Sequence, residues 1–474
     1  MFTKNITKKN SIGIMTAVIY ILNPYYLGNI FIRGAIGEIA ALTFLPLLFL
    51  GLYDLIERQG KKHYFIIIGA VGIALSHNIT LVYSAIFSII YFLINIRKII
   101  KKPKEIIKYC IIDIIFITTL TAFYTIPLMM NKTNADYAIF DHELMWTNNK
   151  FASDNTIKIE DLFDNNKDNV VIYKIGLPII IGITLLLLFQ VKIKENDRKI
   201  LTTFLILGIG AIFIATKYFP WDKVPEFFCV LQFPWRMLGF ANFFLSFCAG
   251  YGIINFLELK FKDKDDILIG FVVIISFLSM LYVYKYSGLE IQDKEDDHLY
   301  EEYYGSVEKL NIDLLNKEYL PVKAYEKSND YLKERDKDKV SVIKGRAEIK
   351  EYNKTNNKIE IKIRNTYAGT ILEFPYLYYL GYKAEAITDT GEQIEIETFE
   401  SKNGFVAIEV PDKDTNIIIV EYKIPKGYKI AYFISAISFI TAIIIVIFKI
   451  KNSKKINKSV ETNKIQWYNT KRKF

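Results

Sequence analysis

The stretch Asn23–Glu38, NPYYLGNIFIRGAIGE, sets Arg33 and Glu38 five positions apart among tyrosines and glycines. A second arginine, Arg236, follows a rigid aromatic run, Phe233-Pro234-Trp235, because proline restricts both itself and the residue before it. His77 and Asn78 form a short polar break in a long apolar stretch. These residue types suit a particular chemistry. Guanidinium groups grip phosphate through paired hydrogen bonds, and the aromatic faces of Tyr25 and Trp235 suit sugar rings and lipid headgroups. Glu38 with His77 has the chemistry to orient or deprotonate an acceptor hydroxyl. A further source of acid is the stretch Asn131–Tyr173, with Asp136, Asp141, Glu143, Asp161 and Asp164, beside His142 and Trp146.

Each of these residues also has a plainer explanation. Trp and Tyr at the ends of membrane spans commonly serve as interfacial anchors, which covers Tyr25, Tyr26 and Trp221. Arg33 can snorkel or simply pair with Glu38. His77 can be a helix cap, Arg236 a structural ion-pair partner, and the acids of Asn131–Tyr173 a solvated loop.

The elements that position these residues are apolar helices. The chain has 474 residues, 51% of them hydrophobic, and several runs approach the length that crosses a bilayer. This excludes a soluble enzyme and predicts a mainly α, polytopic membrane protein. The net charge of +9 does not indicate nucleic acid, because the lysines cluster in short loops between apolar runs and at the C-terminus. Three cysteines give no disulfide framework, and four scattered histidines give no metal-ligand spacing.

In chain order, the spans are expected at about 11–22, 35–56, 64–75, 79–96, 106–130, 174–189, 200–216, 237–257, 267–284 and 430–448. The first run has the length of a signal-peptide core, but Asn-Pro-Tyr-Tyr follows it rather than a cleavage site. Pro46 falls inside the second span and should kink it. The domain plan is a multi-span unit over 1–286, with external loops at 23–38, 131–173 and 217–236. An external domain follows over 287–428, charged and partly helical up to about Lys339. From about 340 to 425, period-two alternation with Asp-Thr-Gly and Lys-Asn-Gly turns predicts an antiparallel β-sandwich. A last span at 429–450 and a basic cytoplasmic tail at 451–474 complete the chain.

About ten spans place the N-terminus, the tail and every basic short loop in the cytoplasm. Asn23–Glu38, the His77 turn, the Asn131–Tyr173 stretch, the Phe-Pro-Trp-Arg run and the β-domain then share the opposite side. The expected location is a bacterial plasma membrane, multi-pass, with an extracytoplasmic β-domain. The Lys- and Ile-rich composition fits an AT-rich bacterial genome.

Several blocks carry a family resemblance. NPYYLGNIFIRGAIGEIAALTFLPLLFLGLYDL, LSHN (75–78), LQFPWRML (231–238), KEYLP (317–321), FPYLYYLGYKA (374–384) and GFVAIEVP (404–411) resemble the bacterial membrane proteins called 6-pyruvoyl-tetrahydropterin synthase-related. These are YfhO-like proteins similar to GT-C glycosyltransferases. The resemblance runs through nearly the whole chain. It implies a GT-C-like fold and a polyprenyl-phosphate sugar donor. It also implies transfer to a cell-envelope glycan or teichoic-type polymer on the outer face.

In that scheme Arg33 and Arg236 hold lipid phosphate, with Asn78, Tyr25 and Trp235 around the substrate, and Glu38 and His77 serve the acceptor. No metal ligand set is expected. Pterin synthesis is not implied, since that reaction belongs to a small soluble zinc enzyme with a histidine triad. The sequence departs from the family pattern at its start, where a further span and an acidic first external loop are usual. The expectation is therefore a glycosyltransferase or a shortened remnant of one. The alternatives are a non-catalytic envelope assembly or polymer-handling protein and, third, a transporter, for which Pro46 breaks a span but no inverted repeat is evident.

Overall fold

The computed structural model describes residues 1–145, 147–163, 173–189, 193–261, 264–286, 317–327, 339–367, 369–411 and 414–471. Most of the charged stretch expected at 287–339 lies outside these residues, as do Trp146 and Asp164.

The first half is helical: α1 Phe2–Thr7, α2 Asn10–Ile21, α3 Pro24–Phe31, α4 Ile36–Glu57, α5 Tyr64–Ser76, α6 Asn78–Ile94, α7 Ile96–Ile99 and α8 Pro103–Asn134. After α9 (Asn149–Asp154) come α10 Leu177–Leu188, α11 Glu195–Ala215, α12 Met237–Lys260 and α13 Lys264–Tyr286. Among the described residues, five helical segments are long and apolar enough to cross a membrane: Ile36–Glu57, Pro103–Asn134, Asp197–Ala215, Pro234–Lys260 and Lys426–Phe448. The bent pair α2–α3 makes a sixth if counted as one span. Tyr64–Ser76, Asn78–Ile94, Leu177–Leu188 and Ile267–Ser279 are shorter apolar helices.

The stretch Asn23–Glu38 is not a loop. Asn23 caps α3, its side chain accepting from the Tyr25 N–H, and Pro24 occupies the first helical turn where its missing N–H costs nothing. The chain therefore turns by 47° between α2 and α3 and stays helical to Phe31. Gly34, at φ +62°, makes the next turn, and α4 begins at Ile36.

Helix α12 is the axis of the membrane unit, with its apolar window wholly buried. Small residues let its neighbours approach closely, as is usual between membrane helices. A Cβ on Gly250 would stand 2.5 Å from Thr16 of α2, and one on Gly182 of α10 would stand 2.5 Å from Ala249. The same device joins α4 to α5, where Gly51 abuts Ile66 and Gly69 abuts Leu48. That tight antiparallel pair fixes the start of α4 beside the end of α5, and so Glu38 beside His77.

The C-terminal domain is β-sandwich-like, two antiparallel sheets built from nine strands: β1 Ser341–Lys344, β2 Glu348–Thr355, β3 Lys358–Arg364, β4 Ile371–Leu377, β5 Tyr382–Thr388, β6 Gln393–Ile396, β7 Thr398–Glu400, β8 Phe405–Glu409 and β9 Thr415–Tyr422. One sheet has the order β1-β4-β8-β7 and the other β2-β3-β9-β5-β6. Alternation is clearest in β3, where Ile359, Ile361 and Ile363 face a core shared with Phe374, Ile408 and Val420.

The four-residue helix α14, Val322–Tyr325, precedes this domain, and α15, Lys426–Lys471, leaves it. The final helix is longer than the span expected at 429–450. It has no Pro or Gly after Gly427 to end it, so the residues expected as a separate tail from 451 continue it to Lys471.

Candidate functional site

Glu38 is the centre of the site and is 5% exposed. Its Oε1 accepts the Tyr25 hydroxyl. Its Oε2 accepts from Arg33 Nη1 at 3.2 Å and lies 3.7 Å from Arg236 Nε. One carboxylate thus stands between two guanidinium groups, leaving one formal positive charge in excess. Arg33 is further held by Asn29 Oδ1, and its guanidinium lies 4.5 Å over the Trp235 ring. Arg236 donates through Nη1 to Leu231 O at 2.8 Å and Gln232 Oε1 at 3.1 Å. Its buried Nε makes no hydrogen bond, the Glu38 contact being an ion pair at longer range.

Local backbone explains why Arg236 arrives there. Gln232 adopts φ +62°, rare for a residue with a side chain, and its amide donates to Met145 O at 2.7 Å. The run Pro234–Arg236 then makes one 3-10 turn and feeds straight into α12. The Tyr25 hydroxyl also reaches the Arg236 carbonyl at 3.3 Å, tying α3 to the start of α12. On the far side, Asn23 Nδ2 donates to Ile175 O at 2.6 Å, and Gly176 packs on Pro24 at φ +87°. Tyr173 stands against Trp235, ring centres 5.8 Å apart.

Three helix N-termini meet at this point. α4 begins at Ile36 and α12 at Met237, both without a side-chain cap. α6 begins at Asn78 and is capped by His77, whose Nδ1 accepts from the Thr80 N–H at 3.3 Å. A Cβ on Gly37 would stand 2.8 Å from the Ser76 carbonyl and 3.9 Å from His77 Cδ2, so α4 and α6 start side by side. A helix N-terminus presents free N–H groups and a positive dipole end. Their positive dipole ends beside two arginines favour an anion at this corner, although His77 caps α6 and the Pro234–Arg236 turn already takes the Met237 N–H at the start of α12.

His77 lies in the turn between α5 and α6, and burial pushes its imidazole down, with Glu38, Arg236 and Arg33 all acting on it. Since Nδ1 accepts a backbone N–H, the neutral ring carries its proton on Nε2. Asn78 is directed elsewhere, its amide donating to the Tyr124 hydroxyl at 2.7 Å.

Glu38, Arg33, Arg236, Tyr25, Trp235 and His77 therefore form one group, with Asn78 on its edge. Interfacial anchoring does not describe Tyr25, Tyr26 or Trp221, because all three are buried inside the protein. Tyr26 bonds Thr43 at 2.9 Å, and the Trp221 indole donates to Ile214 O at 2.9 Å. Two acids of the 131–173 stretch serve their own turns. Asp141 accepts from the N–H groups of Glu143 and Leu144, and Asp161 from Lys158 N. Asn29 and Gln232 complete the group unforeseen, though an asparagine four positions before Arg33 is a recognisable helical partner.

The described histidines do not gather. His63 pairs with Asp113 at 2.6 Å at the other end of α5, and His142 bonds Thr147 at 2.8 Å. Among the described residues no three His, Cys, Asp or Glu side chains come together as a metal set.

Comparison with known proteins yields a family and one distant relative. Residues 1–285 match the family model described as 6-pyruvoyl-tetrahydropterin synthase related domain, membrane protein. An uncharacterized protein of Lactococcus lactis subsp. cremoris (strain MG1363) is 24% identical over 493 residues, covering 96% of this chain and 78% of that protein. No solved structure matches.

Proposed function

Given that the chain belongs to the 6-pyruvoyl-tetrahydropterin synthase related family of membrane proteins, we propose that it is a GT-C-like glycosyltransferase. It moves a sugar from a polyprenyl-phosphate carrier to a cell-envelope polymer on the outer face of a bacterial plasma membrane. The observation that carries this reading is the Arg33–Glu38–Arg236 cluster among three converging helix N-termini. A leaving lipid phosphate gains charge as the glycosidic bond breaks, and preorganised donors with net positive charge stabilise it. Glu38 has both oxygens engaged, so its part is to hold the arginines apart and aimed. His77, neutral, offers a donor beside them. The face of Trp235 already stacks on Arg33, which leaves Tyr173 and the rim for sugar.

The sidedness belongs to the same proposal. Lys61, Lys62 and the run Arg97–Lys104 lie at the opposite ends of α4, α5 and α6 from the cluster. The positive-inside rule puts those ends, and both termini, in the cytoplasm. The five long apolar segments, the bent pair and the four shorter helices together support about ten crossings.

A second reading, a non-catalytic polymer-handling protein, is favoured by one feature. The β-domain has a polar cleft of about 660 Å³ lined by Arg364, Asn365, Thr366, Asp389, Asp414 and Asn416. Envelope sugar composition separates the two. In a deletion strain complemented with Arg33→Ala or Arg236→Ala, sugar content should fall to the deletion level. Full restoration by both variants would sink the catalytic reading and leave the β-domain as the working part.

A further inference from the structure

Residues 96–105 read IRKIIKKPKE, with five cations interleaved among apolar residues. Such a segment suits the boundary between hydrocarbon and water, where lysine stems lie along apolar surface and carry their ammonium groups outward. It forms the short helix α7, a turn and the start of α8, at the opposite end of α4 from Glu38. Because α8 is one of the long apolar segments, this run lies at an end of the membrane unit. Ile96, Ile100 and Ile107 stand exposed along it, Ile100 at 66%.

Between the end of α4, α7 and the first turns of α8 lies a recess of about 220 Å³. Its lining has two characters. Leu55, Ile56, Ile106 and Tyr109 supply apolar surface, with Leu55 and Ile106 buried, whereas Lys98, Lys101 and Lys102 supply charge. Tyr109 is held in place by the α4–α5 turn. A Cβ on Gly60 would stand 2.7 Å from its ring, and the ring centre lies 4.5 Å from that of His63, itself paired with Asp113 at 2.6 Å.

Two carboxylates, Glu57 and Glu105, also line the recess, and Glu57 pairs with Lys98. Lys101 and Lys102 are exposed and make no ion pair or side-chain hydrogen bond among the described residues. With Arg97 and Lys104 flanking them, cations outnumber carboxylates five to two. α8 begins at Pro103 without a side-chain cap, so its first free N–H groups add to the positive end.

We propose that this recess seats the headgroup of an anionic phospholipid. Lys101 and Lys102 hold its phosphodiester, the apolar surface of Leu55, Ile56 and Ile106 takes the glycerol end, and the exposed isoleucines of α7 and α8 meet its acyl chains. A soluble phosphate would use the lysines but not the apolar wall. The volume falls below the roughly 300 Å³ at which small-molecule sites begin, which suits a headgroup whose tails stay outside in the bilayer. Basic recesses between membrane helices are a common form of such a site. It is separate from the arginine corner and independent of the proposed transfer.

The test is binding to the full-length protein in neutral detergent, followed by native mass spectrometry, with dioleoyl phosphatidylglycerol, dioleoyl phosphatidylcholine and glycerol 3-phosphate as probes. Phosphatidylglycerol should bind wild type about tenfold more tightly than phosphatidylcholine. Lys101→Gln together with Lys102→Gln should weaken it about twentyfold, at about fivefold per lysine, and Lys101→Arg with Lys102→Arg should retain it. Arg198→Gln with Lys199→Gln removes the same charge at the start of α11 and should leave the affinity unchanged. Equal affinity of wild type and the Lys101→Gln, Lys102→Gln protein for phosphatidylglycerol would overturn the proposal, as would equal affinity of wild type for the two lipids. Equal losses in the two glutamine pairs would also overturn it, making binding a matter of diffuse surface charge. Glycerol 3-phosphate binding as tightly as the lipid, and lost with the same two lysines, would replace the lipid by a soluble phosphate.

Discussion

Helix α4 carries a buried carboxylate near each end, and the two are used in opposite ways. Asp54, 1% exposed, accepts from Lys62 N at 2.5 Å within the α4–α5 turn, where its own carbonyl also accepts from Gly60 N at 3.1 Å. Every partner lies within eight residues, and Gln59 and Gly60 take positive φ to make the turn. Glu38 instead holds Tyr25 from α3, Arg33 from the turn after it, and Arg236 from a segment far along the chain. Asp54 satisfies backbone groups that folding would otherwise strand. Glu38 gathers more positive charge than it neutralises. A buried acid closed upon its own turn is a device of the fold, whereas one that assembles surplus cations from separate segments leaves a demand for another anion.

Substitution should separate the two uses. The largest stability loss is expected for Glu38→Ala, about 3–5 kcal/mol, because two largely buried guanidinium groups lose their counter-charge. A soluble phosphate probe should restore part of it, since an anion can take the empty place. Asp54→Ala should cost about 1–3 kcal/mol through unsatisfied backbone donors, and no anion should restore it. Thermal unfolding in detergent, with and without farnesyl phosphate, reads both. Equal rescue of the two variants would erase the distinction.

The smallest effect concerns His77. His77→Ala removes the cap of α6 and should cost about 1 kcal/mol, while His77→Asn should restore the cap and the stability. If His77→Asn also restores envelope sugar, the imidazole acts only as a cap. If sugar stays low with stability intact, its Nε2–H contributes to the site.

Much of this was legible in the chain. The helix-ending features (Pro24, the Ser76-His77-Asn78 break, Pro234) marked where the site residues would sit, and the placing of basic loops gathered them at one end. The helix in Asn23–Phe31 was signalled by Asn-Pro, a cap followed by a first-turn proline, but the glycines and aromatics around it read as a loop. What stayed hidden was pairing at long range. The bond from Tyr25 to the Arg236 carbonyl spans 211 positions, and nothing in either segment names the other. Tyr25 and Trp221 looked like membrane-edge anchors because composition does not distinguish an aromatic facing lipid from one packed inside. The His63–Asp113 pair was likewise invisible, an aspartate within an apolar helix meeting a histidine fifty positions away.

The central claim is that the Arg33–Glu38–Arg236 corner binds a lipid-linked phosphate, and the most direct test is the affinity of the purified protein for farnesyl phosphate. Arg33→Ala and Arg236→Ala should each weaken binding by about tenfold or more, as loss of one charge-assisted contact does, while Asp54→Asn leaves it unchanged. Equal affinity in all four proteins, wild type included, would contradict the account.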